Sequence, residues 1–130
     1  MDRIVTPTLI LRITLAAVLL MHGIPSIITG AVNNFGNRHL NAMGFAPFGL
    51  PLAWAIKLSH VACAILLILN RYIRLAAIVT IPILVAGIIM IHASEGWFVV
   101  GEGRNGAEFN VLLISVLVYL AVINKKGVIA

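Results

Sequence analysis

PLAWAIKLSHVACAILLILNRYIRLAAIVTIPILVAGIIMIHA, residues 51–93, holds two long apolar runs with one short polar break between them. Pro51 to Asn70 and Leu75 to Ala93 measure roughly 28 to 30 Å as helix, which matches the hydrocarbon depth of a bilayer. Lys57 is the sole Lys, Arg, Asp or Glu within either run. A strand at that depth would leave backbone groups without partners in lipid, so both runs read as helices. The break at Arg71 to Arg74 leaves room only for a tight turn, which makes the two spans antiparallel neighbours.

Two further runs of the same kind lie outward of this hairpin, Leu9 to Thr29 and Ala107 to Ile123. The expected fold is therefore all-α, a four-transmembrane-helix bundle forming a single domain over residues 1–130. Composition agrees: 62% of residues are apolar, 10% are charged and the mean hydropathy is +1.11, outside the range of soluble domains. The first run also resembles a signal peptide ending near Thr29-Gly30-Ala31, but its length and its Arg12 fit a membrane span better. Lipid is the expected surroundings, and small residues such as Ala16, Ala17, Ala86 and Gly87 would let helices of a homo-oligomer approach closely.

The net charge of +5 and isoelectric point near 10.2 do not point to nucleic acid. The basic residues are scattered, with no continuous stripe and no interleaved aromatics, so nucleic acid is excluded as a partner. They work better as topology signals. Arg3, Arg71, Arg74, Lys125 and Lys126 fall on one side, with Arg12 just inside it, whereas Arg38 and Arg104 alone fall on the other. The positive-inside rule then puts both termini in the cytoplasm. On the outer side, the connection Gly30 to Leu50 carries Phe35, Leu40, Met43, Phe45 and Phe48, a composition suited to the membrane interface and to capping the bundle. The second outer connection, Ser94 to Gly106, offers Trp97 and Phe98 as interface anchors.

Ionisable residues at membrane depth are the strongest functional signal, because each costs at least ~2.5 kcal/mol to insert. The candidates are Arg12, His22, Lys57, His60, His92 and Glu108. Counted along the helices, His60 lies near the midplane, His22 and Lys57 roughly 5 Å toward the outer face, and His92 and Glu108 roughly 10 to 12 Å outward. Lys57 and His60, at i and i+3, share a face that should point inward. If the others join it, His22, Lys57, His60, His92 and Glu108 form a pocket in the outer half that binds a ligand or handles protons, with Lys57 pairing to Glu108. The plainer readings are a snorkelling Lys57, histidines that each make one hydrogen bond, for instance to Ser26 or Ser59, and interfacial His92 and Glu108. Arg12 reads as a structural or capping residue near the cytoplasmic end.

Three histidines and a carboxylate raise the question of a metal, but no HxxxH or HxxE pair falls within one span and every ligand would come from a different helix, so no metal site is expected. Haem is disfavoured by the unequal depths of His22 and His92. Gly101 to Gly106 matches GxGxxG, yet it lacks a βαβ unit and carries Glu102, so it reads as the turn before the fourth helix. Cys63 stands alone, excludes a paired-thiol relay and reads as a small buried hydrophobe. A faint repeat, His22 after Leu-Leu-Met and His92 after Ile-Met-Ile, fits two parallel hairpins no better than chance does in so apolar a chain.

Several of these features together resemble the DoxX family of small four-helix bacterial membrane proteins. They are Arg12 followed by His22-Gly23; Gly44 with Pro47 or Pro51 closing the first outer connection; Arg74-Leu75-Ala76-Ala77 opening the third span; His92 before Gly96-Trp97-Phe98; and Asn105-Gly106-Ala107-Glu108 opening the fourth. Two positions depart from the pattern: His60 stands where the family usually has glutamate, and Asn70 where it has glycine. The resemblance implies a bacterial plasma (inner) membrane. It also implies a link to quinone, since the family takes its name from a subunit of a thiosulfate:quinone oxidoreductase. Three functions follow as expectations: a quinone-linked redox component, an oxidoreductase or a subunit of one; a non-catalytic membrane subunit or scaffold recruiting a partner of a membrane complex through its outer connections; and a small transporter or channel.

Overall fold

A computed structural model describes residues 5–101 and 103–124. Arg3, Lys125 and Lys126, which enter the expected orientation, and Glu102 lie outside the described residues. The chain runs as α1 (Val5–Ile28), α2 (Ala31–Asn34), α3 (Gly49–Leu69), α4 (Ile73–Gly87) and α5 (Glu108–Ile123). A wide π-helical stretch, Phe35–Phe45, follows α2, and a π turn, Ile88–His92, extends α4. No strand occurs among the described residues. Pro7–Ile28, Gly49–Leu69 and Ile73–Glu95 are long and apolar enough to cross a membrane, with mean hydropathies of 1.8, 2.1 and 2.5; α5 is equally apolar but shorter, at 16 residues.

The long helices alternate in direction. One end of the bundle gathers the end of α1, the start of α3, the end of α4 and the start of α5; the other gathers Thr8, Arg12, Asn70, Ile73, Leu120 and Asn124. We call these the connection end and the terminus end. Helix α1 packs mainly on α3, α3 on α4, and α4 on α5. The contact of α1 with α3 is close because Gly23 has no side chain: a Cβ there would lie 2.9 Å from Val61 and 3.2 Å from the Lys57 carbonyl. Leu15, Leu19, Cys63, Leu67, Ala77 and Leu117 belong to the core, which is built from small and branched apolar residues of all four helices. Most of each spanning helix stays outside that core, since only 22 to 28% of each hydropathic stretch is buried within the molecule. Ile10, Met21, Ile28 and Val122 are exposed by more than two thirds. Such surface is stable only against lipid, so this is a multi-pass membrane protein.

The short break between α3 and α4 is a Schellman turn. Asn70 adopts φ 54° and ψ 42°; its N–H reaches Leu67 O, and the Arg71 N–H reaches Leu66 O. Asparagine is among the few non-glycine residues that tolerate this left-handed conformation, so it can end the helix as glycine commonly does.

The connection Gly30 to Leu50, read from sequence as an interfacial loop, is instead largely helical and folded onto α3. Val32, Leu40 and Ala53 form a second small core. The Trp54 indole N–H donates to Asn33 Oδ1 at 3.0 Å, and the Gly49 N–H donates to Asn41 Oδ1 at 2.9 Å. Side-chain amides thus provide the partners that a polar, glycine-containing segment cannot find in a regular helix.

Arg12 is 2% exposed, and its guanidinium donates from Nη1 to Leu67 O at 2.9 Å and from Nε to Thr8 Oγ1 at 3.3 Å. It therefore ties α1 to the carbonyl end of α3, where the positive charge also suits the helix dipole. Replacing Arg12 by alanine removes a charged donor from a carbonyl that keeps only the 3.3 Å contact with the Asn70 N–H, which costs about 1.5–3 kcal/mol. Arg12→Ala should accordingly lower the melting temperature in detergent, and Arg12→Lys should recover part of the loss; unchanged melting of Arg12→Ala would contradict this role.

Candidate functional site

The connection end holds a cavity of about 320 Å³. His22 comes to it from α1, His60 and Ile56 from α3, Ile83 and Gly87 from α4, and His92 from the π turn. Asn105 and Gly106, together with Phe109 and Asn110 of α5, form the remaining side, and Val99 closes it. Three histidines from separate elements thus share one space. Each is placed by local backbone chemistry.

His92 sits in the π turn, whose extra residue per turn rotates side chains relative to a continued α-helix. Its Nδ1 lies 2.8 Å from the Asn105 carbonyl oxygen. A carbonyl only accepts, so Nδ1 carries a proton, and in the neutral ring Nε2 becomes the acceptor. Of all histidine atoms in the cavity, Nε2 of His92 is thereby assigned a role by geometry.

His60 is 7% exposed, and its Nδ1 is buried without a hydrogen-bond partner among the described residues. The Ser59 hydroxyl, considered from sequence as a partner for a histidine, turns back to Ile56 O at 2.7 Å. A buried polar atom left alone costs about 1–3 kcal/mol, so His60 is held in the α3 wall of the cavity at a cost to stability. His22 is more open and meets Phe109 with ring centroids 6.1 Å apart. Asn110 Nδ2 donates to Leu84 O at 3.2 Å, which fixes the amide and gives its Oδ1 an orientation distinct from that bond.

Two sequence candidates flank the cavity and do not line it. Lys57 Nζ donates to the His22 carbonyl at 3.3 Å and stands 5.5 Å from the Phe35 ring centroid. Glu108 Oε1 accepts the N–H groups of Val99 and Val100, at 2.6 and 2.7 Å. The expected pairing of Lys57 with Glu108 is therefore corrected. Lys57 finds a carbonyl and a ring at the end of α1, while the carboxylate is taken up by two backbone donors nearer to it in sequence. The Ala107 and Glu108 N–H groups also donate to the Gly96 and Trp97 carbonyls, at 3.0 Å each, so the stretch that supplies Val99 is bound to the start of α5. Trp97 and Phe98 remain half exposed.

Asn105, Phe109 and Asn110 are absent from the sequence candidates, which were restricted to ionisable residues. An asparagine inside an apolar span was the available signal for Asn110. Cys63 is buried beside the Ala76 carbonyl and does not line the cavity. Among the described residues no group of three or more His, Cys, Asp or Glu is arranged to hold a metal ion.

The DoxX family model matches residues 8–93, from Thr8 near the start of α1 through the π turn that carries His92. The chain belongs to the DoxX family. The match takes in His22, Lys57, His60 and His92 and ends before α5, so the Asn105 to Glu108 motif lies outside it. Comparison with curated proteins and with solved structures returns no match. Within this DoxX chain, His60 lies in the matched stretch and lines the cavity.

Two outcomes follow from this geometry. Nitrogen NMR of histidine-labelled protein should find His92 protonated at Nδ1; a neutral ring protonated only at Nε2 would contradict the Asn105 contact. Glu108→Ala should release the 97–101 stretch, read as at least tenfold faster proteolytic cutting there, while Glu108→Gln keeps one acceptor oxygen and falls between; equal cutting of all three proteins would show that the carboxylate does not hold it.

Proposed function

We propose that this DoxX protein is a quinone-linked redox component of the membrane, an oxidoreductase or a subunit of one, which binds a quinone head group among His22, His60 and His92. The single observation that carries this reading is that three histidines from separate elements, one of them the buried His60, line one cavity. In the proposed arrangement residues 1–130 form one domain that crosses the membrane four times. Both termini lie on the cytoplasmic side of a bacterial inner membrane, as the positive-inside rule favours. The cavity then lies in the outer half of the bilayer, and α5 is the shortest span.

A flat ring with a carbonyl or hydroxyl group at opposite edges suits this lining. When bound, the quinone supplies the redox chemistry, taking up or releasing electrons and protons at its two oxygens. His60, which lines the cavity, offers a ring nitrogen to one oxygen, as donor or acceptor according to tautomer. His92, with Nδ1 held by Asn105, presents Nε2 as an acceptor, which favours a hydroxyl over a carbonyl at that position. Phe109, beside His22, provides an aromatic face for a ring to pack against. Proton handling falls to the histidines: Glu108, considered for it from sequence, already accepts two N–H groups. Lys57 stands at the edge, where its charge favours an electron-rich oxygen.

The folded connection bears on the scaffold reading. Its buried Val32 and Leu40 make it part of the bundle, so it serves better as a cover for the connection end than as a free recruiting arm.

Titrating a ubiquinone or menaquinone analogue into purified protein tests the proposal. His60→Ala and His22→Ala should each weaken binding at least tenfold, about 1.4 kcal/mol, with the melting curve retained. Absence of binding to the unaltered protein, or equal binding by the variants, would overturn it.

A further inference from the structure

A second space lies beside the histidine cavity. It is a cleft of about 290 Å³ between the connection, α3 and α4. Leu40 and Phe45 form one wall, Leu52 another, and Pro82, Ala86 and Met90 a third. Every side chain around it is apolar. Ile56, Ile83 and Gly87 line this cleft and the histidine cavity alike. At Gly87 no side chain separates the two spaces, and an added Cβ would sit 3.3 Å from Asn110 Nδ2 and 3.9 Å from His92 Nε2. Toward the outside, Phe45, Pro82 and Ala86 are exposed, so the cleft opens on the surface that faces lipid.

We propose that the ligand of the histidine cavity is amphipathic, and that its apolar tail passes Gly87 into this cleft and on into the bilayer. The inference rests on the head-group reading above and adds the class of ligand and its route: a quinone bearing an isoprenoid or alkyl tail, entering sideways from the membrane.

The physical case turns on what lipid can and cannot supply. An all-apolar cleft has nothing to offer a polar solute. Moving a free hydrocarbon chain from the bilayer into the cleft gains no hydrophobic energy either, because lipid tails are as apolar as leucine. A chain is held there selectively only when its other end is anchored, and the anchor lies next door, in the one neighbouring space with histidines and amides. Both spaces meet where α4 is least regular. Pro82 withholds an N–H from the helix, Ala86 and Gly87 lower its wall, and the π turn begins at Ile88. The tail therefore contributes orientation and access more than affinity.

The test uses the whole chain in lipid nanodiscs and two probes with the same head, one tail-less and one with a multi-isoprenoid tail. Ala86→Trp fills the cleft from a position that does not line the histidine cavity. Ile78→Trp, at an exposed site on the same helix, controls for a bulky lipid-facing residue. Ala86→Trp should weaken the tailed quinone at least tenfold and leave the tail-less one unchanged, and Ile78→Trp should alter neither. As a second measurement on unaltered protein, a photoreactive group on the first isoprene unit should label Leu52, Ala86 or Met90. Unchanged binding of the tailed probe to Ala86→Trp, with labelling elsewhere, would overturn the inference and assign the cleft to bilayer acyl chains only. Equal weakening of both probes would overturn it too, by making the cleft part of the head-group site. Failure of both probes to bind unaltered protein would overturn the head-group reading itself, and the tail route with it.

Discussion

Lipid accepts and donates no hydrogen bonds, so each polar group placed at depth has to be answered from within the protein. The described part of this bundle follows that constraint from one end to the other. At the terminus end Arg12 and the Asn70 N–H both answer the Leu67 carbonyl, and the Arg71 N–H of the Schellman turn answers that of Leu66. At the connection end Asn33, Asn41 and Glu108 answer backbone or indole N–H groups where the helices give way to irregular chain. Two buried side-chain atoms among the described residues depart from this pattern, His60 Nδ1 and Thr80 Oγ1, and of the two residues His60 is the one that lines the histidine cavity.

Much of the fold was legible in the sequence because lipid imposes a length and a composition. Residues 51–93 specify two helices and a tight turn almost unaided, and Arg71 to Arg74 leaves only one way to join them. The DoxX pattern was legible through Arg12, His22-Gly23 and His92, which the family match includes. Other features depend on packing. The helical form of Gly30 to Leu50 comes from Val32 and Leu40 meeting Ala53 and from side-chain amides acting as caps, none of which hydropathy registers. The π turn before His92 has no periodic signature in a run of Ile and Met.

For the site, counting residues along each span put the histidines at compatible depths, but depth says nothing about partners. Lys57 and Glu108 are of opposite charge and near in depth, yet each bonds to the nearest backbone group instead. A bond to backbone orders one flexible side chain, whereas a pair across the bundle would order two. Asn110 escaped notice because its side chain is neutral, although inside a membrane an amide is as demanding of partners as a charge is of neutralisation.

The stretch from Gly96 to Val100 also changes how the connection end can move. It is joined to the start of α5 by the Ala107 and Glu108 N–H groups and by the Glu108 carboxylate. Val99 on one side of that seam and Phe109 with Asn110 on the other belong to the same cavity. Roof and wall are consequently one mechanical piece: a guest that lifts Val99 must also turn the first residues of α5, and a helix shift imposed from outside would be felt at the ring. In so small a bundle, the shortest apolar helix is the part best coupled to whatever the histidines hold.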